Sequence, residues 1–406
     1  MGSELSPDGL IDRARSSTGL DDFGSEHFLG FLRAWCEDLA SPLLSDVGRA
    51  RLAKLAVRNL ETRLRIEETL RQHPEILDVP IPRVVRIGGF PRSGTTLFHQ
   101  LMVLGERRRA LLRWELVAPL PPPAASTYRT DPRIEQVARG LQPLRGTELE
   151  RMHWVEADEP EECTWGFVDL SGLIGRGCVR MMPRWADAIY ASDRNHRETY
   201  VEYRRLIQLL LWRNPMRRDE TLVLKSPTDV DRMATFLDVF PEAAAVLVHR
   251  DPFRTMLSTI HLQQTINGPY LAEGRSPTDE EYVDLALRLH AALAAPMVDL
   301  AQSHPDRVTN VRYPDLMRDP AAVVTEIDEA LGLSGDASVT RQLVEQFLAR
   351  QSAGSRVAPP AQYRDLGITP EMVHGEPTLA RYMAAFEIPE ERRRVSAPAT
   401  SSTFNV

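Results

Sequence analysis

The stretch RVVRIGGFPRSGTTLFHQLM at residues 83–102 permits few folds. Its β-branched start reads as a strand, its glycines and proline as a turn, and Leu97, Phe98, Leu101 and Met102 repeat at helical spacing. Strand, Gly-rich turn and helix in that order make an anion cradle. Glycine lets the backbone turn tightly, and the N–H groups of the first helical turn point at the anion with no side chain between. Gly89, Gly94 and Thr95 have the spacing of a P-loop, but the lysine that should follow Gly94 is Thr95, with Thr96 next. The cradled donor is therefore not an ordinary nucleoside triphosphate with Mg²⁺, and Arg92 supplies a cation by another route.

A chain of 406 residues fits one large α/β domain with helical additions, or two domains. The division expected here is an N-terminal helical extension over 1–78, a core domain over 79–335, and a C-terminal helical segment, lid and tail over 336–406. A net charge of −8 argues against nonspecific nucleic-acid binding while allowing a local basic pocket. Cys36, Cys163 and Cys178 are odd in number and widely spaced, with no C-x-x-C pair, which points to a reduced, cytoplasmic setting without structural zinc. No apolar run approaches the ~20 residues that span a bilayer, and the polar N-terminus is not a signal peptide. The first six residues match a myristoylation pattern, one short enough to arise by chance.

Residues 1–24 are polar and expected to be frayed or loosely docked. Phe28, Phe31, Leu32 and Trp35 predict a helix over 25–40, and Leu52, Leu55, Leu60 and Leu64 another over 46–71. Pro80 and Pro82 then admit the first strand at 84–88. A second strand is expected at 111–115, with Glu115 at its carboxyl end. Further strands are expected at 221–224, running into Lys225, at 244–248, running into His249 and Arg250, and at 307–313. Helical segments between them imply a parallel sheet with right-handed crossovers, which puts Lys225 and Arg250 on the same rim as the cradle. Residues 131–148 read as weakly specified helix, 197–212 as an amphipathic core helix, and 264–278 and 351–362 as flexible loops. The acids of 156–162 read as a solvated helix start.

The assembled parts are a cradle with Arg92, two cations at strand ends, and Ser258 on the helix after Arg250. Guanidinium and hydroxyl together suit a second phosphate, so the ligand carries anions at both ends. A nucleotide kinase would need the missing lysine and an acid at a strand end for Mg²⁺. A protein kinase would need more than His249-Arg250-Asp251, which Pro252 follows and no Asp-Phe-Gly accompanies. A donor whose transferred group bears less charge than a phosphoryl group can do without metal, because fixed cations and N–H groups hold the charge on its leaving phosphate.

In this respect the chain resembles the sulfotransferases that use 3′-phosphoadenylyl sulfate (PAPS). Pro91-Arg92-Ser93-Gly94-Thr95-Thr96-Leu97 resembles their 5′-phosphosulfate loop, and Arg250-Asp251-Pro252 with Ser258 their 3′-phosphate site. Leu224-Lys225-Ser226-Pro227 and Tyr313-Pro314-Asp315-Leu316 are similar to the bacterial branch, so that the likeness covers about residues 80–320. The resemblance implies an α/β fold, a P-loop-like parallel sheet flanked by helices with N- and C-terminal helical extensions. It implies PAPS as donor and adenosine 3′,5′-bisphosphate (PAP) as product, with no metal and a small-molecule hydroxyl as acceptor. Arg92, Ser93, Gly94, Thr95 and Thr96 would hold the 5′-phosphosulfate, Arg250 and Ser258 the 3′-phosphate, and Tyr313 would lie near the adenine. Lys225 matches a lysine that steadies charge at the transferring group in the tyrosyl-protein branch, where an Arg likewise replaces the loop lysine of cytosolic enzymes.

Two residues compete for the base. His153 has an unperturbed pKa near working pH and follows the cradle Arg at a distance like that of the base histidine in polyketide-type enzymes. Glu115 is similar to the catalytic Glu of the tyrosyl-protein branch and would need burial to raise its pKa. His99 reads as structural. Trp114, Pro119, Pro121, Trp154 and Trp165 either line an apolar acceptor pocket or pack the core, and phenol, sugar, lipid and secondary-metabolite alcohols all fit. The competing functions are a kinase with a variant P-loop and a nucleotide-binding module without catalysis.

Overall fold

A computed structural model describes residues 3–105, 107–172, 181–190, 193–333, 335–353 and 366–391. Its strands are β1 (Arg83–Gly89), β2 (Arg108–Arg109), β3 (Thr221–Lys225), β4 (Ala243–His249) and β5 (Val308–Arg312). They form one parallel sheet in the order β2-β3-β1-β4-β5. β1 is central, pairing Ile87 with Lys225 of β3 on one side and Gly89 with Val248 of β4 on the other.

Parallel strands need crossovers, and the crossover helices cover both faces of the sheet. The period of two along each strand divides the core. Val84, Leu222, Leu224, Ala245 and Leu247 pack with Leu206, Ile207 and Leu210 of helix Asp193–Trp212 and Phe236 of helix Met233–Val239. Val85, Ile87, Val223, Val246 and Val248 face the other way, towards the cradle helix Thr95–Met102 and helix Pro320–Ala330. The chain is thus the expected α/β sheet flanked by helices.

One strand residue breaks the apolar pattern. Arg86 is fully buried in the middle of β1, where it pairs with Asp229 beyond β3 and lies 4.1 Å from the ring centre of Phe236. The Tyr200 hydroxyl donates to the same Asp229 at 2.7 Å. Removing one partner of such a buried pair costs about 3–5 kcal/mol, so the pair pins the loop that follows Lys225.

Three helices precede the sheet: α1 (Pro7–Thr18), α2 (Phe28–Asp38) and α3 (Asp46–Gln72). Leu10, Phe31, Trp35 and Leu52 form a separate core with Trp185 of helix Pro183–Tyr190. Of the two expectations for residues 1–24, α1 meets docking, and more firmly than expected. Ser6 accepts the Gly9 N–H at 3.1 Å, Gly19 closes the helix at φ 70°, and the fully buried Leu10 and Ala14 dock it, so capping and two apolar contacts outweigh polar composition.

The expected strand at 111–115 is corrected. The paired residues are Arg108 and Arg109, and after α4 (Thr95–Met102) the next helix is α5 (Arg113–Val117). Glu115 reaches back to the Leu112 N–H at 2.9 Å, so that this apolar run starts a helix where it would otherwise pair. Helix Pro252–Asn267 likewise runs through the first residues of the expected 264–278 loop, and its last residue, Asn267, is fully buried. Met1, Gly2, Cys178 and the tail beyond 391 lie outside the described residues, as does most of 351–362. Among the described residues no helix is long and apolar enough to cross a membrane.

Candidate active site

The carboxyl ends of β1, β3 and β4 open on one rim, where ligands collect in open α/β sheets. β1 ends at Gly89 with φ 143°, and a Cβ there would lie 2.3 Å from the Val248 carbonyl oxygen. Only glycine lets the chain leave β1 this close to the backbone of β4. The turn carries Arg92 through φ 69° and reaches Gly94 at φ 96°, where a Cβ would stand 2.7 Å from the Tyr313 ring. A non-glycine in the left-handed region costs about 1–3 kcal/mol and persists where the surroundings enforce it.

Gly94 then opens α4 without a side-chain cap, and the fully buried Ser93 hydroxyl beside it has no partner among the described residues. Uncapped N–H groups next to an unpartnered buried hydroxyl are the features that an anion completes. Thr95 is buried in the first turn and Thr96 follows it.

Two cations and a hydroxyl meet beside the turn. Arg92 donates through Nε to Ser258 Oγ at 2.9 Å, and an Arg250 terminal nitrogen donates to the Arg92 carbonyl at 3.1 Å. The Arg250 guanidinium carbon lies 3.9 Å from the Tyr313 ring centre. Arg92, Arg250, Ser258 and Tyr313 are thus brought together. Arg92 spans two groups of residues that the sequence divides between two phosphates.

Lys225 is buried at the end of β3, with Nζ 2.7 Å from Glu162 Oε1 and 3.4 Å from Thr96 Oγ1. It lines a cavity of about 290 Å³ together with Thr96, Gln100, His153, Trp154 and Glu161. His153 follows the short helix Glu148–Met152 and hangs from it by its N–H on the Leu149 carbonyl at 2.8 Å. Burial pushes the imidazole pKa below its ordinary value, Glu161 and Glu162 oppose this, and Lys225 and Arg92 add to it. The neutral form of the ring is therefore favoured, and His153 shares the cavity wall with Lys225. A second cavity, of about 360 Å³, lies against Thr164, Tyr200 and Asp229 and shares no lining residue with the first.

Glu115 is not part of this cavity's lining. Fully buried, it accepts from Arg109 at 2.7 Å, the Tyr128 hydroxyl at 2.7 Å and the Leu112 N–H. His99 donates through Nε2 to the Val223 carbonyl at 3.1 Å, and burial with nearby Lys225 lowers its pKa to about 3. Trp114 is core, with the Arg133 guanidinium 4.7 Å from its ring centre, whereas Trp154 lines the cavity and Trp165 is exposed.

Three acids of the site escape the sequence reading. Glu161 and Glu162 are not a solvated helix start, because Glu161 is buried against Arg113 and Glu162 neutralises Lys225. Burial works against ionisation of Glu161, but Arg113, Lys225 and His153 hold its pKa below the usual carboxylate range. A lysine at a buried strand end demands such a partner, which is the signal that points to this acidic run. Glu391 grips Arg250 through both carboxylate oxygens, at 2.8 and 2.9 Å. No pattern near it in the sequence announces that contact.

Comparison with known proteins agrees with this geometry. The model of the sulfotransferase family matches residues 83–337. The curated omega-hydroxy-beta-dihydromenaquinone-9 sulfotransferase Stf3 of Mycobacterium tuberculosis (strain CDC 1551 / Oshkosh) is 27% identical over 292 residues, 70% of this chain and 69% of that one. Its counterpart from Mycobacterium bovis matches with the same figures. The crystal structure of sulfotransferase STF9 from Mycobacterium avium has a TM-score of 0.83 at 25% identity, covering 97% of this chain and 100% of that one. Sulfotransferase STF1 from Mycobacterium tuberculosis H37Rv shares the fold with a TM-score of 0.74 at 24% identity, covering 92% and 98%.

Proposed function

The chain belongs to the sulfotransferase family, and we propose that it transfers the sulfuryl group of PAPS to a hydroxyl of a small-molecule acceptor. The observation that carries this reading is the pairing of two anion sites on one rim. The uncapped start of α4 with Ser93 takes one end of a ligand, and Arg250 with Ser258 takes the other, with Arg92 bridging them. Ser93, Gly94, Thr95, Thr96 and Arg92 would hold the 5′-phosphosulfate, Arg250 and Ser258 the 3′-phosphate, and Tyr313 the adenine.

Bound there, PAPS supplies a sulfuryl group attached to a phosphate leaving group. His153, neutral by burial, takes the proton of the acceptor hydroxyl as that oxygen attacks. Lys225 and the N–H groups of α4 stabilise the negative charge left on the phosphate. β3 and β4 end in Lys225 and in His249 and Arg250, so the reading includes no divalent cation. Trp154 gives the cavity an apolar wall. The mycobacterial relative is named for an omega-hydroxy menaquinone, and from it we take the acceptor class alone, a hydroxyl. The buried free thiols of Cys36 and Cys163 suit a cytoplasmic setting.

The test is thermal denaturation with PAP and with ATP–Mg²⁺, followed by mass spectrometry of an alcohol panel incubated with PAPS. PAP is expected to raise the melting temperature without Mg²⁺, and one or more alcohols to gain a sulfate. Stabilisation by ATP–Mg²⁺ and none by PAP would replace this reading with a kinase. PAP binding without sulfate transfer to any alcohol would leave a nucleotide-binding module.

A further inference from the structure

The contact between Arg250 and Glu391 extends the donor reading and rests on it. The guanidinium presents Nε and one terminal nitrogen to the two oxygens of Glu391, at 2.8 and 2.9 Å, while its other terminal nitrogen holds the Arg92 carbonyl at 3.1 Å. Arg254, one turn further along helix Pro252–Asn267, stands 3.9 Å from the same carboxylate. A forked carboxylate and a phosphate use the same donors on a guanidinium. The carboxylate and the 3′-phosphate therefore compete for one edge of Arg250.

The contact is built rather than casual. Asp251 accepts the Glu391 backbone N–H at 2.7 Å on one oxygen and His374 Nε2 at 2.9 Å on the other, while it caps helix Pro252–Asn267 through the Phe253 N–H. Upstream, helix Pro377–Ala385 is docked by the fully buried Leu379 and Tyr382, and the Phe386 ring stacks 3.7 Å from that of His249. A packed element thus delivers one acid to the strand-end arginine.

We propose that Glu391 is an internal stand-in for the 3′-phosphate of the donor, and that the nucleotide must displace it to seat. A nucleotide without a 3′-phosphate leaves the carboxylate in place. The segment after Phe386 then reports which nucleotide is bound, and the ion pair favours the ligand that replaces its charge in full.

The experiment is calorimetric titration of the full chain with PAP and with adenosine 5′-monophosphate, in the wild type, Glu391→Gln and Glu391→Asp. Amide hydrogen exchange of the peptide ending at Glu391 is followed alongside. Glu391→Gln is expected to tighten PAP roughly 5- to 50-fold, to leave the monophosphate within about twofold, and to do so at an unchanged melting temperature. In the wild type PAP, but not the monophosphate, is expected to speed exchange at Glu391. Glu391→Asp keeps the charge and shortens the reach, so a PAP affinity between those of the wild type and Glu391→Gln supports displacement over a long-range charge effect. Unchanged or weaker PAP binding by Glu391→Gln, or slower exchange with PAP, overturns the stand-in while leaving the donor reading intact. Failure of PAP to bind wild type and variants alike overturns both.

Discussion

Glu115 and His153 both lie in the long connection from β2 to β3, the first fully buried and the second half-buried, and both are candidates to accept a proton. Their neighbours treat them differently. Glu115 receives a guanidinium, a phenol and a backbone N–H, three donors from its own chain, and braces the start of α5. His153 stands at a cavity lined also by Glu161 and Lys225, and feels the charges of Glu162 and Arg92 as well. On the proposed reading, a carboxylate saturated by its own fold serves as a brace, whereas an imidazole lining a cavity with a lysine and a cradle threonine serves as the base. Hydrogen-bond accounting separates two residues that spacing and pKa arguments leave side by side.

The largest effect that would test this contrast is on rate. His153→Ala is expected to lower kcat by about 10²- to 10⁴-fold with little change in melting temperature, measured by sulfate transfer and by thermal denaturation. Retained turnover would return the base role to another group. Glu115→Ala should do the reverse. It strands Arg109 and Tyr128 and costs about 3–5 kcal/mol of stability, read in urea, while the rate per folded molecule holds. Loss of rate with stability intact would make Glu115 more than a brace.

A smaller effect lies in the pH profile. Burial favours the neutral imidazole, so kcat/KM is expected to fall on the acid side with its midpoint below the ordinary imidazole value of 6.5. Glu162 raises the His153 pKa, and its removal also takes from Lys225 its paired carboxylate. Glu162→Gln is then expected to move the acid limb lower still. An upward shift would place the titrating group elsewhere.

What was legible in the sequence follows the same line between local and distant partners. The cradle could be read because its chemistry is written in consecutive residues, Gly89 to Thr96, where backbone geometry restricts the choice. β1, β3 and β4 could be read because strands buried on both faces are near-continuous apolar runs. The run Leu111–Glu115 misled, since a capping contact three residues long used the carboxylate that a strand end would have presented. α1 was hidden by its polar face, and its docking rests on a few apolar residues, Leu10, Ile11 and Ala14. The pairs Lys225 with Glu162 and Arg250 with Glu391 join residues that only the completed sheet brings near. So does the link from Arg92 to Ser258, which turns two expected sites into one continuous rim.

The strand order has a consequence for how the chain is made. β1 leaves the ribosome early, but its two neighbours are Thr221–Lys225 and Ala243–His249. At about 5–20 residues per second the central strand waits roughly seven to thirty seconds for its first full partner. Through that interval Val84, Val85 and Ile87 have no sheet to enter, and Arg86 has no Asp229. The nascent chain thus carries an unpaired apolar segment through about a third of its synthesis, and holding that segment apart is the work that a chaperone would do for it. Slow-codon clusters before residue 221 would lengthen the exposure, and synonymous changes there should alter soluble yield without altering a single side chain.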